Sequence, residues 1–298
     1  MKMPFSLAVT PEEFMPAASF AAELPLIEDD PLVALLQQAA ESELDGLVAC
    51  LVEKGGITCQ LRRLPIYAAK YPRHRAYVKD VAAELQKFGA NTIASVFRSG
   101  KGVAYGEIVQ DVAGRLGVRR SGTAAEVEQC ILQKLAEKYW EGSSIGQRTA
   151  LLEQFGVIDH NLLTSPVIPA ALITAVHVSG FAAYQFTVIV ANAVAHALLG
   201  HGLSFAVNAA LTKGVSIFAG PPGWCLVAFL TANMFASESY RVTVPAVVQV
   251  ALIRSAIEAR REQEAIKRQG TRRVLLTVTI SLAAVLIVAA ALWLVPLL

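Results

Sequence analysis

Between residues 161 and 253 this chain carries three charged side chains, Lys213, Glu238 and Arg241, and between 274 and 298 it carries none. Apolar surface on that scale has two destinations, a dry protein core or a bilayer, because leaving it in water is too costly. The remaining charge lies on either side of the first stretch. Residues 1–160 hold 17 basic and 20 acidic residues, and residues 254–273 hold seven basic and three acidic ones. The chain therefore divides into a polar N-terminal half, a very apolar middle, a basic collar and an apolar end.

The end has the simplest reading. Val274 to Leu298 is 25 residues without a charge. As a helix it would span roughly 37 Å at about 1.5 Å per residue, enough to cross a hydrocarbon layer of about 30 Å. Arg268, Arg272 and Arg273 stand directly before it. By the positive-inside rule, that collar faces the cytoplasm and brings the N-terminal half with it. At the start, Lys2 precedes a short apolar patch broken by Pro4, Pro11, Glu12 and Glu13, so no signal peptide is expected. Residues 1–30 read as a loose leader.

From 31 to 160 the periodicity is helical. Leu32, Leu35 and Leu36 share a face, and Leu44, Leu47, Val48 and Leu51 repeat the i, i+3, i+4, i+7 spacing up to Gly55-Gly56. Tyr77, Val81, Leu85 and Phe88 form another stripe, and Ile108, Val112 and Leu116 another. Thr123 and Glu126 have capping-box spacing ahead of Val127, Ile131, Leu132 and Leu135. Leu151, Leu152 and Phe155 suggest a further short helix. Strand-like alternation is scarce, so the expected fold class is all-α. A basic cluster, Arg62, Arg63, Lys70, Arg73, His74, Arg75 and Lys79, reads as a solvated face balanced by Asp80 and Glu84. The competing reading is a patch for anionic headgroups.

The middle allows two structures. Residues 165–192 and 224–236 either insert in the bilayer as a hairpin or form the dry centre of a globular helical domain. Gly220-Pro221-Pro222-Gly223 is a turn in both. Ala206, Ala210 and Gly214 have the small-xxx-small spacing that lets helices approach closely. Glu238 and Arg241, three apart, can pair on a helical turn. A helix is expected to begin at Pro245, with Thr243 as its cap, and to lead from the apolar centre to the collar.

Four separated blocks then resemble one family. Gly220-Pro221-Pro222-Gly223-Trp224 matches G-P-x-G-W. Tyr240-Arg241-Val242-Thr243-Val244-Pro245, continuing to Arg254, matches A-Y-R-V-T-I-P-x-V-x-Q-I-A-x-L-R. Glu84-Leu85-Gln86-Lys87-Phe88-Gly89 opens a stretch similar to E-L-Q-x-F-G-G-x-S-I-A, and Leu198-Leu199-Gly200-His201-Gly202-Leu203 is similar to V-L-G-H-G-L. This pattern resembles the bacterial YaaW-like family of uncharacterised proteins, over roughly residues 31–255. The resemblance implies a helical core that is sometimes grouped with ubiquinol–cytochrome c chaperones. It also implies a bacterial inner-membrane location for a chain ending in a membrane span.

Enzyme motifs are absent: no G-x-S-x-G, P-loop, H-E-x-x-H or G-x-G-x-x-G occurs. His196 and His201 are five apart, off the i, i+3 or i+4 spacing of helical metal ligands. Cys50, Cys59, Cys130 and Cys225 have no CxxC pairing and read as reduced thiols. No catalytic, cofactor or metal residue is expected. The formal charge of +2 gives no field for nucleic acid. Two functions remain. One is a membrane-anchored, non-enzymatic adaptor or assembly factor that binds a protein client or a second copy of itself. The other is a membrane-active effector whose middle inserts, oligomerises and permeabilises the inner membrane. The residues singled out are Glu238, Tyr240, Arg241, Thr243 and Pro245, with Arg268, Arg272 and Arg273 flanking the span.

Overall fold

A computed structural model describes residues 24, 26–92, 102–157, 160–177, 181–199, 224–234 and 239–294, and among them every regular element is helical. The helices are α1 (Pro31–Gln37), α2 (Glu41–Gly55), α3 (Pro65–Lys70), α4 (Val78–Thr92), α5 (Tyr105–Arg115), α6 (Ala124–Gly142), α7 (Ile145–Gln154), α8 (Ala170–His177), α9 (Phe181–Leu199), α10 (Trp224–Met234) and α11 (Tyr240–Leu294). Short 3-10 turns fill several connections.

The ends of these helices follow from their sequences. Thr123 and Glu126 form the expected capping box at α6, and Ser144 with Gln147 forms another at α7. Asp30 caps α1 by accepting the Leu32 N–H at 3.0 Å. Its other oxygen accepts from Gln86 Nε2 at 2.9 Å and from the Tyr105 N–H at 2.6 Å, so one carboxylate joins α1, α4 and α5. The last residues of the supposed leader are thereby fixed. Ile27 donates its N–H to Gln86 Oε1 at 2.9 Å, and Leu26 packs against the core. Residues 1–23 and 25 lie outside the described residues.

The first part of α11 is the axis of the fold. Every residue from Val242 to Ile253 is buried, so this segment is covered on all sides by protein. α2 crosses it in the opposite sense: Cys50 Sγ lies 3.5 Å from the Val242 carbonyl, Gly46 faces Gln249, and Arg260 pairs with Glu43. α9 also runs opposite to it, with Thr187 Oγ1 3.2 Å from Ser255 Oγ and the Phe181 N–H donating to Glu262 Oε2 at 3.0 Å. A single apolar core extends from Leu32 in α1 to Ala259 in α11 and takes in α9 and α10. There is no gap at residue 160, where the polar and apolar parts of the sequence meet. Arg148 stacks on Trp140 at 4.8 Å and donates to the carbonyls of Leu163 and Ser165 at 2.7 and 3.0 Å. Trp140 Nε1 adds a bond to Ser165 at 3.0 Å.

α11 differs from expectation at its start. It begins at Tyr240, with Pro245 inside it. Thr243 is not a cap. It is a buried residue of the first turn, and its hydroxyl donates to the Ser239 carbonyl at 3.2 Å. That carbonyl also accepts the N–H groups of Val242 and Thr243 at 3.0 and 2.9 Å, which closes the turn upstream of the proline. Pro245 lies early enough in the helix that its missing N–H forfeits one bond, to the carbonyl of the exposed Arg241.

Candidate functional site

The most distinctive family block, 240–254, supplies the axial segment of α11, and its side chains act mainly on neighbouring helices. Tyr240 packs under the Arg115 guanidinium, 5.5 Å from ring centroid to Cζ. Burial and the nearby Asp111 carboxylate raise the Tyr240 hydroxyl above its ordinary value. Arg241 is exposed, Thr243 and Pro245 are buried, and Glu238, the expected partner of Arg241, lies outside the described residues.

Arg254 closes the block. Its Nε and Nη2 bind Glu128 of α6 in a two-pronged pair at 2.8 and 3.0 Å. The Tyr105 hydroxyl donates to the same carboxylate at 2.8 Å, which joins α5, α6 and α11 at one buried point. Burial pushes the Glu128 carboxyl above the usual range, while Arg254 and Tyr105 pull it down. Each partner of this site is distant in sequence, so no local motif could announce it.

The block starting at Glu84 is also internal. Glu84 does not balance the basic cluster as expected. It is fully buried and accepts the N–H groups of Gln60 and Leu61, both at 3.0 Å, and Lys87 Nζ at 2.8 Å. Gly89 is there because α4 and α5 touch: a Cβ on it would stand 2.4 Å from Ile108 Cγ1.

The basic cluster itself divides. His74 is buried, while Arg62, Arg63, Lys70, Arg73, Arg75 and Lys79 are exposed. Arg75 leans on the α1–α2 corner, where its N–H donates to Glu41 at 3.0 Å, and Lys79 pairs with Glu28 at 3.2 Å. His74 Nε2 is 3.0 Å from Asp45 Oδ1, and its Nδ1 is 2.5 Å from the Tyr77 hydroxyl. With Asp45 ionised, the neutral imidazole donates from Nε2 and accepts from Tyr77. Burial lowers the His74 pKa, and the Asp45 and Glu41 carboxylates oppose that shift. Beside this pair, α2 and residues 67–74 enclose an open cavity of about 270 Å³.

Beyond the core, α11 continues without a break. Arg260 and Arg261 hold Gln38 at the α1–α2 corner, and residues 261–271 are exposed. Arg268 pairs loosely with Glu264 at 3.6 Å, and Arg272 and Arg273 follow in the same helix. By length and composition, one helix among the described side chains could cross a membrane, Tyr240–Thr271. Yet 83% of its apolar window is buried in protein, as in the central helix of a globular domain. The uncharged run from Val274 continues that helix to Leu294.

Among the described residues no group of three or more His, Cys, Asp or Glu gathers as a metal site. His196 lies in α9, and His201 lies outside the described residues. Cys50, Cys59 and Cys130 are free thiols, and burial pushes the Cys50 and Cys59 thiols up.

No protein-family model matches the chain, and no solved structure matches it. Its sequence relatives are informative. A UPF0174 protein of Helicobacter pylori strain J99 is 37% identical over 191 residues, which cover 62% of this chain and 75% of that protein. A second UPF0174 protein of the same strain is 37% identical over 201 residues, 64% of this chain and 91% of the relative. The UPF0174 protein YaaW of Escherichia coli K12 is 28% identical over 241 residues, 78% of this chain and 96% of YaaW. With relatives matched over most of their length, the chain belongs to the UPF0174 family, the family of YaaW.

Proposed function

We propose that this protein is a membrane-anchored, non-enzymatic adaptor or assembly factor, with its helical domain held at the cytoplasmic face of a bacterial inner membrane. The observation that carries this reading is the continuity of α11. One 55-residue helix is the core axis over 242–259, a charged rod over 261–273 that is exposed from 261 to 271, and an uncharged rod over 274–294. At about 1.5 Å per residue, the charged rod is roughly 20 Å long and the uncharged one roughly 31 Å, close to the thickness of a hydrocarbon layer. A helix rooted in a packed core and ending in lipid fixes the distance of a domain from the membrane, as a flexible linker cannot. Arg268, Arg272 and Arg273 at the water–lipid boundary set the orientation.

The packing of α9 and α10 into the shared core supports a globular domain whose contacts are with proteins. A chaperone-like role toward membrane complexes is one form of this reading, and the client is a protein or a second copy of the chain. Affinity capture from gently solubilised membranes tests it. Partners recovered with the full chain, and absent with residues 254–298 alone, support the adaptor. Collapse of the membrane potential on expression of the full chain would instead favour an effector that permeabilises the membrane.

A further inference from the structure

The cavity beside the His74–Asp45 pair has a defined chemistry. Its floor is one face of α2, on which Asp45, Val48, Val52 and Glu53 recur at helical spacing. A carboxylate stands at each end with an apolar strip between, and residues eight apart on a helix are separated by roughly 12 Å. The wall is aromatic: the Tyr67 and Tyr71 rings lie 5.5 Å apart at 46°. No lysine or arginine lines it, although Arg62, Arg63, Lys70 and Arg73 are close in sequence. An anion would therefore meet two carboxylates and neither a lysine nor an arginine. A cation meets favourable groups at each point, since ring faces attract ammonium groups within about 6 Å.

The site is also organised in advance. His74, only 3% exposed, holds Asp45 on one side and Tyr77 on the other. Tyr77 stacks edge-on to Tyr67 at 5.6 Å, and Tyr71 stacks edge-on to His74 at 5.7 Å. Tyr71 nevertheless remains 60% exposed while it lines the cavity. The cavity has a volume of about 270 Å³ and opens to solvent.

We propose that this cavity binds a short aliphatic diamine or polyamine, with one ammonium group at Asp45, another toward Glu53, and the methylene chain lying along Val48 and Val52 under the tyrosine rings. The ligand covers the exposed ring of Tyr71 and places one positive group at each carboxylate. The proposal is independent of the anchoring and client-binding reading above.

Titration calorimetry of the full-length chain in detergent micelles tests it, at constant ionic strength, with putrescine, cadaverine and spermidine. n-Butylamine and magnesium chloride serve as comparators. Saturable binding with one site per chain is expected, with the best diamine or polyamine at least about tenfold tighter than butylamine. Tyr71→Ala should weaken it about 2- to 30-fold, the range of a cation–π contact, and Tyr71→Phe should leave it within about twofold. Glu53 is exposed, so Glu53→Gln is expected to fold normally while it weakens the two-ended ligands and leaves butylamine unchanged. Amines that bind no better than magnesium would overturn the proposal. Parent-like affinity in both Tyr71→Ala and Glu53→Gln would overturn it as well.

Discussion

Glu128 and Arg254 stand 126 residues apart in sequence and meet through two hydrogen bonds of 2.8 and 3.0 Å, tying α6 to the central helix α11. Glu128 is 2% exposed and Arg254 26%. Removing one partner strands a charge in the interior, which costs about 3–5 kcal/mol for a buried pair. Because Arg254 retains some access to water, Glu128→Leu is expected at the low end, about 3 kcal/mol. Arg254→Met, which strands the deeper charge, should cost more. The double variant Glu128→Leu with Arg254→Met should recover much of the loss. Denaturant unfolding of the four proteins measures the coupling, and additive losses would count against the pair.

Close approach between helices gives a second prediction. Gly89→Ala places a methyl group against buried Ile108 and should destabilise the fold by about 1–3 kcal/mol, despite the higher helix propensity of alanine. Gly270, in the exposed rod, has open space around a Cβ. Gly270→Ala should therefore strengthen the helix by about 0.5–1 kcal/mol. Circular dichroism and thermal unfolding distinguish the two, and equal effects at both sites would contradict the packing at Gly89.

The His74–Asp45 pair predicts a pH dependence. Burial holds the His74 pKa in the folded chain below its ordinary 6.5, so the unfolded chain takes up that proton first. Stability from this group is whole above the ordinary imidazole range and declines as pH falls from about 6.5 toward the lowered value. Asp45 has the opposite sign. Burial raises its carboxyl above 3.8, so the folded chain takes up that proton first and stability recovers on further acidification in the range above 3.8. Unfolding midpoints of the parent and His74→Gln, compared across pH, isolate the first effect. The slope below pH 6.5 should be shallower in the variant, and parallel curves would contradict it.

The collar makes a topological prediction. Replacing Arg268, Arg272 and Arg273 with glutamine removes the basic bias before the uncharged run and should leave the orientation of the chain mixed. Protease protection of the N-terminal half in inverted vesicles reads this out. Complete digestion in both the parent and the triple variant would show that the collar does not set orientation.

Much of the helical architecture was legible in local spacing. The Thr123–Glu126 box does start α6, and the stripes at Leu44–Leu51 and Val81–Phe88 do face the core, because capping and amphipathicity are local properties. The start of α11 was not legible. Proline usually marks a first turn, but here Ser239 and Thr243 close a turn before Pro245, and burial on all sides outweighs one lost bond. Glu84 looked like a surface acid because charge spacing says nothing about Gln60 and Leu61, whose N–H groups it satisfies 24 and 23 residues away. The cavity beside His74 was hidden for the same reason. Its parts come from 45–53 and 67–74, and the histidine in it read as one more basic residue of a surface cluster.

The most direct test of the membrane-anchored domain is alkaline carbonate extraction of residues 1–270 beside the full chain. The full chain should stay in the membrane pellet. Residues 1–270 retain the core segment of α11 and lack the uncharged run, so they should be released as a folded helical protein. Retention of residues 1–270 in the pellet would contradict the account and place the apolar middle itself in the bilayer.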